Sequence, residues 1–118
     1  MFTIPHRLTR LNEYIRAERG NRYAAAKIKS DMTDLCTYYM PILEIDYPIE
    51  IIMIWTVKNL GNDLDNVSFG AKFILDAMVQ KRLIKNDNLT VIKKITHKFR
   101  KGEHEKVTVI VKERRDER

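Results

Sequence analysis

Nine consecutive residues, Ile49-Glu50-Ile51-Ile52-Met53-Ile54-Trp55-Thr56-Val57, decide more than any other stretch what this chain can fold into. Their β-branched and aromatic side chains suit a pleated surface, and a run so continuously apolar leaves little of itself suited to water, so it predicts a central strand. Pro48 marks the entry, since a proline lacks the N–H that an interior ladder position donates. Lys58-Asn59-Leu60-Gly61-Asn62 marks the exit with turn chemistry. A central strand needs neighbours on both sides. Phe2-Thr3-Ile4 alternates and is halted by Pro5, while Thr90–Phe99 and Lys106–Val111 flank a turn at Lys101-Gly102-Glu103 and predict a terminal hairpin. Ile42-Leu43-Glu44-Ile45 fits either a short element or an extended lead-in, and the charged stretch from Glu113 to Arg118 is expected to fray.

Helical periodicity accounts for much of the rest. Ala24, Ala25, Ile28, Met32, Leu35 and Cys36 recur every three or four residues up to Met40, with Lys27, Lys29, Asp31 and Asp34 on other faces and Pro41 as the stop. Arg7 to Tyr23 mixes polar residues with Leu8, Leu11, Tyr14 and Ile15 and predicts a loop and a helix. Tyr38 and Tyr39 are expected to pack on the sheet. Between two acidic turns, Asp63-Leu64-Asp65-Asn66 and Asn86-Asp87, the residues Val67, Ala71, Ile74, Leu75 and Met78 predict a single amphipathic helix. The expected fold is α+β, one domain over 1–118, with a mixed sheet of about four or five strands and two main helices packed on it.

With 118 residues, 44% of them hydrophobic, and only four glycines and three prolines, the chain has material for one ordinary core. Its lone cysteine, Cys36, excludes an internal disulfide and a cysteine-pair zinc site, points to a reducing compartment, and reads as a small buried helix residue. The longest apolar run, Ile51 to Trp55, is too short to cross a bilayer, and Met1-Phe2-Thr3-Ile4-Pro5-His6-Arg7 lacks the apolar core of a signal peptide. A soluble, cytoplasmic protein with no membrane partner is expected.

The net charge is +6, and it is unevenly spread. Residues 1–80 hold nine Lys and Arg against ten Asp and Glu, whereas residues 81–118 hold thirteen against six. A basic half that follows acidic turns suits a polyanionic partner gripped by cations while a metal ion sits among the acids, although lysines coating late strands would give the same balance. Lys93, Lys94, Lys98, Arg100 and Lys101 form one candidate DNA-binding surface. Arg16, Arg19 and Arg22, interleaved with Tyr14 and Tyr23, form another; Glu13 and Glu18 leave open the alternative of a salt-bridged, solvated helix face. His97 reads as a solvent-facing strand residue.

Asp63 and Asp65 stand at i and i+2, and on an extended segment such a pair points to one side and can share a cation. A hard ion such as Mg²⁺ takes oxygen ligands and keeps several waters, so two or three carboxylates plus a substrate phosphate suffice, with Asp87 as the candidate third. The alternative at this point is that Asp65 or Asn66 caps a helix and that Asp63 and Asp87 are turn residues. Asp76, four residues after Lys72, is placed for a helix salt bridge that positions the lysine.

Asp63-Leu64-Asp65-Asn66, followed by Lys72-Phe73-Ile74-Leu75-Asp76-Ala77-Met78 and Leu83-Ile84-Lys85-Asn86-Asp87, resembles the RusA family of Holliday junction resolvases, especially its phage and prophage members. Leu11-Asn12-Glu13-Tyr14, Asn21-Arg22-Tyr23 and the strand running into the acids extend the resemblance over most of the chain. It implies a homodimeric endodeoxyribonuclease of DNA recombination and repair that uses Mg²⁺, or Mn²⁺ in its place, and no small-molecule cofactor to make paired nicks across a branched, four-way DNA junction. Asp63, Asp65 and Asp87 would bind the metal, Lys72 would be the catalytic or phosphate-contacting lysine, and Asn66 and Asp76 would support them. Three details depart from the family pattern. Val67-Ser68-Phe69-Gly70-Ala71 lengthen the path to the lysine, Asn59-Leu60-Gly61-Asn62 replace residues that are arginines in many relatives, and Asn86 stands beside Asp87 where paired acids occur. Two rival functions share these residues: a nuclease for other branched or single-stranded DNA, and a non-catalytic nucleic-acid-binding module.

Overall fold

The apolar run becomes β2 (Ile49–Val57), and it lies inside a four-stranded sheet whose order is β1 (Phe2–Ile4), β4 (Lys106–Glu113), β2, β3 (Ile92–Lys101). This computed structural model describes residues 1–43, 45 and 48–113. β2 runs antiparallel to β4 and parallel to β3, so the sheet is mixed. Three longer helices, α1 (Leu11–Gly20), α2 (Arg22–Tyr39) and α4 (Ala71–Gln80), and the short α3 (Leu64–Ser68) complete an α+β fold, where two main helices are expected from the sequence. Ile42, Leu43 and Ile45 belong to no helix or strand; Glu44 and residues 114–118, on which the lead-in and fraying expectations also rest, lie outside the described residues.

The terminal hairpin is not formed. β3 and β4 each pair with β2: Ile51 lies between Ile95 and Val111, and Trp55 between Phe99 and Val107. A hairpin would leave the most apolar strand at an edge; insertion gives both ladders of β2 a partner and buries it. Residues 102–105 therefore cross over the end of β2. Gly102 N–H donates to Val57 O at 2.9 Å, and a Cβ at Gly102 would stand 2.5 Å from Thr56 Cγ2, so this crossing is close enough to exclude a side chain.

Alternation along β2 sorts the sheet into two faces. Ile49, Ile51, Met53, Trp55 and Val57 are buried on one, together with Val107, Val109, Phe2 and Ile4 from their paired strands, beneath Phe73, Ile74 and Met78 of α4. Cys36 of α2 is fully buried, and its loss of solvent pushes the thiol up to about 12. Tyr39 donates to or accepts from His6 Nε2 at 3.0 Å, but Tyr38 is 79% exposed and does not pack on the sheet. Adjacent residues of a helix point about 100° apart, so with Tyr39 against the core Tyr38 falls on a solvent-facing side of α2. No helix among the described residues is long and apolar enough to cross a membrane.

His97 is also placed differently from expectation. Being opposite Met53 in the parallel ladder, it falls on the helix-covered side, half-buried, where Nδ1 accepts from Trp55 Nε1–H at 2.9 Å. Loss of solvent holds its imidazole below the usual value of 6.5, and the Trp55 bond needs the unprotonated nitrogen. On acidification the unfolded chain takes up this proton first, so the stability tied to the neutral ring is complete above about pH 6.5 and is lost as pH falls toward the folded-state pKa. Denaturant midpoints measured between about pH 5 and 7.5 are expected to fall on the acid side, and His97→Gln to flatten that dependence.

Candidate metal centre

The turn after β2 is built by asparagines. Asn59 Oδ1 accepts from Gly61 N–H at 3.0 Å, and Asn62 Nδ2 donates to Asn59 O at 2.8 Å. From the N-terminal side Arg10, whose side chain is only 12% exposed, donates to Asn62 Oδ1 at 3.2 Å and to Glu105 of the crossing turn at 2.7 Å. Arg7 joins the network through Glu13 at 2.9 Å and Glu105 at 3.4 Å. Burial alone would raise the Glu13 carboxyl, but the Arg10 amide and the Arg7 and Arg10 guanidinium groups outweigh it and hold the group below its ordinary range. The arrangement fixes the residue just before Asp63. Sequence gives no sign of it, because Arg10 and Glu105 lie 95 positions apart.

Asp63 is the N-cap residue of α3, with extended backbone and no hydrogen bond from its side chain to the helix. Asp65 is already inside the helix, where its Oδ1 accepts from the adjacent Asn66 N–H at 3.0 Å. The expected extended Asp-x-Asp pair is therefore corrected: the chain turns helical directly after Asp63, whose carbonyl accepts from Val67 N–H at 3.2 Å. Both acids are solvent-exposed and neither enters an ion pair among the described residues. Asn66 has a structural role: its Oδ1 accepts from Asn12 N–H at 2.9 Å, satisfying one of the unpaired donors in the first turn of α1.

The single helix expected after these acids is two. α3 ends at Ser68 and α4 begins at Ala71, with Gly70 between them. A Cβ there would meet Leu8 Cβ at 3.0 Å and Trp55 Cη2 at 3.1 Å, so the glycine lets the helical segment sit directly on the core. Lys72, in the first turn of α4, lies 3.9 Å from Asp76 Oδ2, the salt bridge expected from their spacing.

Asp87 is not gathered with Asp63 and Asp65. It precedes β3, whose first residue pairs with the first residue of β2, whereas Asp63 follows the last residue of β2, a strand that itself spans about 27 Å. The rod of α4, about 15 Å long, keeps the two acidic turns apart instead of folding them onto one cation. No group of three or more His, Cys, Asp or Glu side chains able to hold a metal occurs among the described residues. Asp87 instead borders a cleft of about 550 Å³ between α2 and α4, with Asp76, Asn86, Lys29, Thr33 and Asp34. Thr33 Oγ1 and Asp76 Oδ2 are buried there without a hydrogen-bond partner. Thr33 and Asp34 were not among the expected site residues, since only the packing of α2 on α4 brings them to Asp76 and Asp87.

The donor chemistry at Asp63 and Asp65 fits a hard divalent cation in type: carboxylates open to water, without imidazole or thiolate. In number the pair supplies two protein ligands and leaves the rest to water and substrate. The basic candidates divide. Arg16, Arg19 and Arg22 are exposed on α1 and the start of α2, with Arg22 stacked 5.3 Å from the centre of the exposed Tyr23 ring. Lys93, Lys94, Lys98, Arg100 and Lys101 are exposed on β3. No family model, curated protein or solved structure matches the chain.

Proposed function

We propose that the chain is a Mg²⁺-dependent endodeoxyribonuclease that nicks four-way DNA junctions as a RusA-like homodimer. The reading rests on one observation above all: Asp63 and Asp65, the core of the family-like motif, stand exposed and free of ion pairs at the end of the central strand, on a turn braced by Arg10 and Glu105. Acids spared from structural pairing are available for a ligand. When bound, the cation supplies an activated water and neutralises charge on the phosphate. Asp63 and Asp65 would hold it, and Lys72, half-exposed on the next helix, would meet negative charge on the phosphodiester while Asp76 steadies its ammonium group. A two-fold dimer presents two such sites to the two equivalent strands of a junction.

A second reading, a nucleic-acid-binding module without catalysis, is favoured by the separation of Asp87 from Asp63 and Asp65. A synthetic four-way junction incubated with the protein in Mg²⁺ or in chelator separates the two. Paired nicks in Mg²⁺ alone are expected; metal-independent binding with no nicks would establish the module, and nicks confined to flaps or single strands would move the assignment to another nuclease.

A further inference from the structure

Among the described residues, one face of the sheet carries no helix. The ladders place Ile52 beside Ile110 and Thr96 on that face, and Ile54 beside Thr108 and Lys98, all of them short of the burial reached on the opposite side except Thr108. Two rows of cations border this strip. Lys94, Lys98 and Arg100 follow β3, and Lys106 and Lys112 follow β4. Glu50, the one acid of these three strands on that face, lies 3.6 Å from Lys94.

We propose that this open face seats a double-stranded DNA arm, with phosphates on both cation rows. The rows are separated by two strand spacings, about 10 Å, which is on the scale of a duplex groove at roughly 6–12 Å. A second copy of the chain would bring like charges together, so self-association through this face is disfavoured. Among the described residues, the paired positions of the open face include no aromatic ring, which removes the stacking platform that single strands require. Its isoleucines are half-covered rather than protruding, so nothing there is suited to insertion into a bilayer. The choice of DNA as the polyanion rests on the proposed function, but the surface is defined independently of catalysis. It adds Lys106 and Lys112 to the contact set and sets aside Arg16, Arg19 and Arg22, which belong to α1 and α2. It also sets aside Lys101, whose partner in the ladder is Val57 of the covered face.

The test is binding of a fluorescent duplex in chelator, at several salt concentrations, with circular dichroism to verify folding. Lys98→Gln with Lys106→Gln is expected to weaken binding about tenfold and to reduce the slope of log affinity against log salt by about 2, while Arg16→Gln with Arg19→Gln changes neither. In the unmutated protein, duplex should shield Lys98 and Lys112 from acetylation and leave Lys27 of α2 reactive, a readout that survives any folding defect in the variants. Unchanged binding in the open-face variant, equal loss in the α1 variant, unshielded Lys98 and Lys112, or tighter binding to a single strand or to phosphatidylserine vesicles overturns the proposal. Nicking is scored separately in Mg²⁺. A protein that never nicks but loses duplex binding on open-face substitution refutes the nuclease and leaves this surface standing; one that nicks yet binds normally after substitution does the reverse.

Discussion

Asp65→Asn is expected to reduce Mg²⁺-dependent nicking of a four-way junction by about 10²–10³-fold or more, with fold and metal-free binding unchanged. The side chain is exposed, and its one hydrogen bond among the described residues is accepted by Oδ1 from the neighbouring amide, which an asparagine oxygen accepts equally well. Charge is lost and little else. Cleavage of a labelled junction, read beside a thermal melt, checks both halves, and persistent nicking would sink the nuclease assignment. Asp87→Asn is the informative companion. Within one chain Asp87 sits with Asp76 beside the α2–α4 cleft, so its loss should cost less than that of Asp65. An equally complete loss would mark Asp87 as a ligand delivered by a second copy.

Gly102→Ala is expected to destabilise the fold by about 3 kcal/mol, the upper part of the range for forcing a methyl group into packed space. The new Cβ would lie 2.5 Å from Thr56 Cγ2, and Thr56 has no room to retreat: it is buried in β2 and its Oγ1 accepts from Arg100 Nε–H at 2.9 Å. Relief must come from the crossing turn, whose Gly102 N–H holds the last carbonyl of β2. That turn also carries Glu105, so a shift would reach Arg10 and the loop before Asp63. For a domain with a total stability of roughly 5–15 kcal/mol, a loss of this size is readily measured as a lowered denaturant midpoint. A change below about 0.5 kcal/mol would show that the turn yields easily and that the crossing is looser than its contacts indicate.

The central strand was readable from Ile49–Val57 because a long β-rich apolar run has few other uses, and the helix of α2 was readable from its three-to-four-residue recurrence. Strand pairing was not. A short turn at Gly102 predicts a hairpin by local rules, and only the competition for the partners of β2 reverses it. The same limit applies to the acids. Sequence spacing identified the salt bridge of Lys72 with Asp76, because one helical turn separates them, but it cannot report that α4 carries Asp87 away from Asp63 and Asp65. Arg10, Asn62 and Glu105 meet only after the sheet has assembled, and no local pattern encodes their meeting.

Cys36 gives the protein an internal clock for opening. Its thiol is enclosed by the core and titrates near 12, so an alkylating reagent at neutral pH finds neither access nor thiolate in the folded chain. Each labelled molecule therefore records one excursion in which the core around α2 has opened. Because this is the chain's sole cysteine, that excursion rate can be followed by mass alone, with no engineered probe, before and after DNA is added.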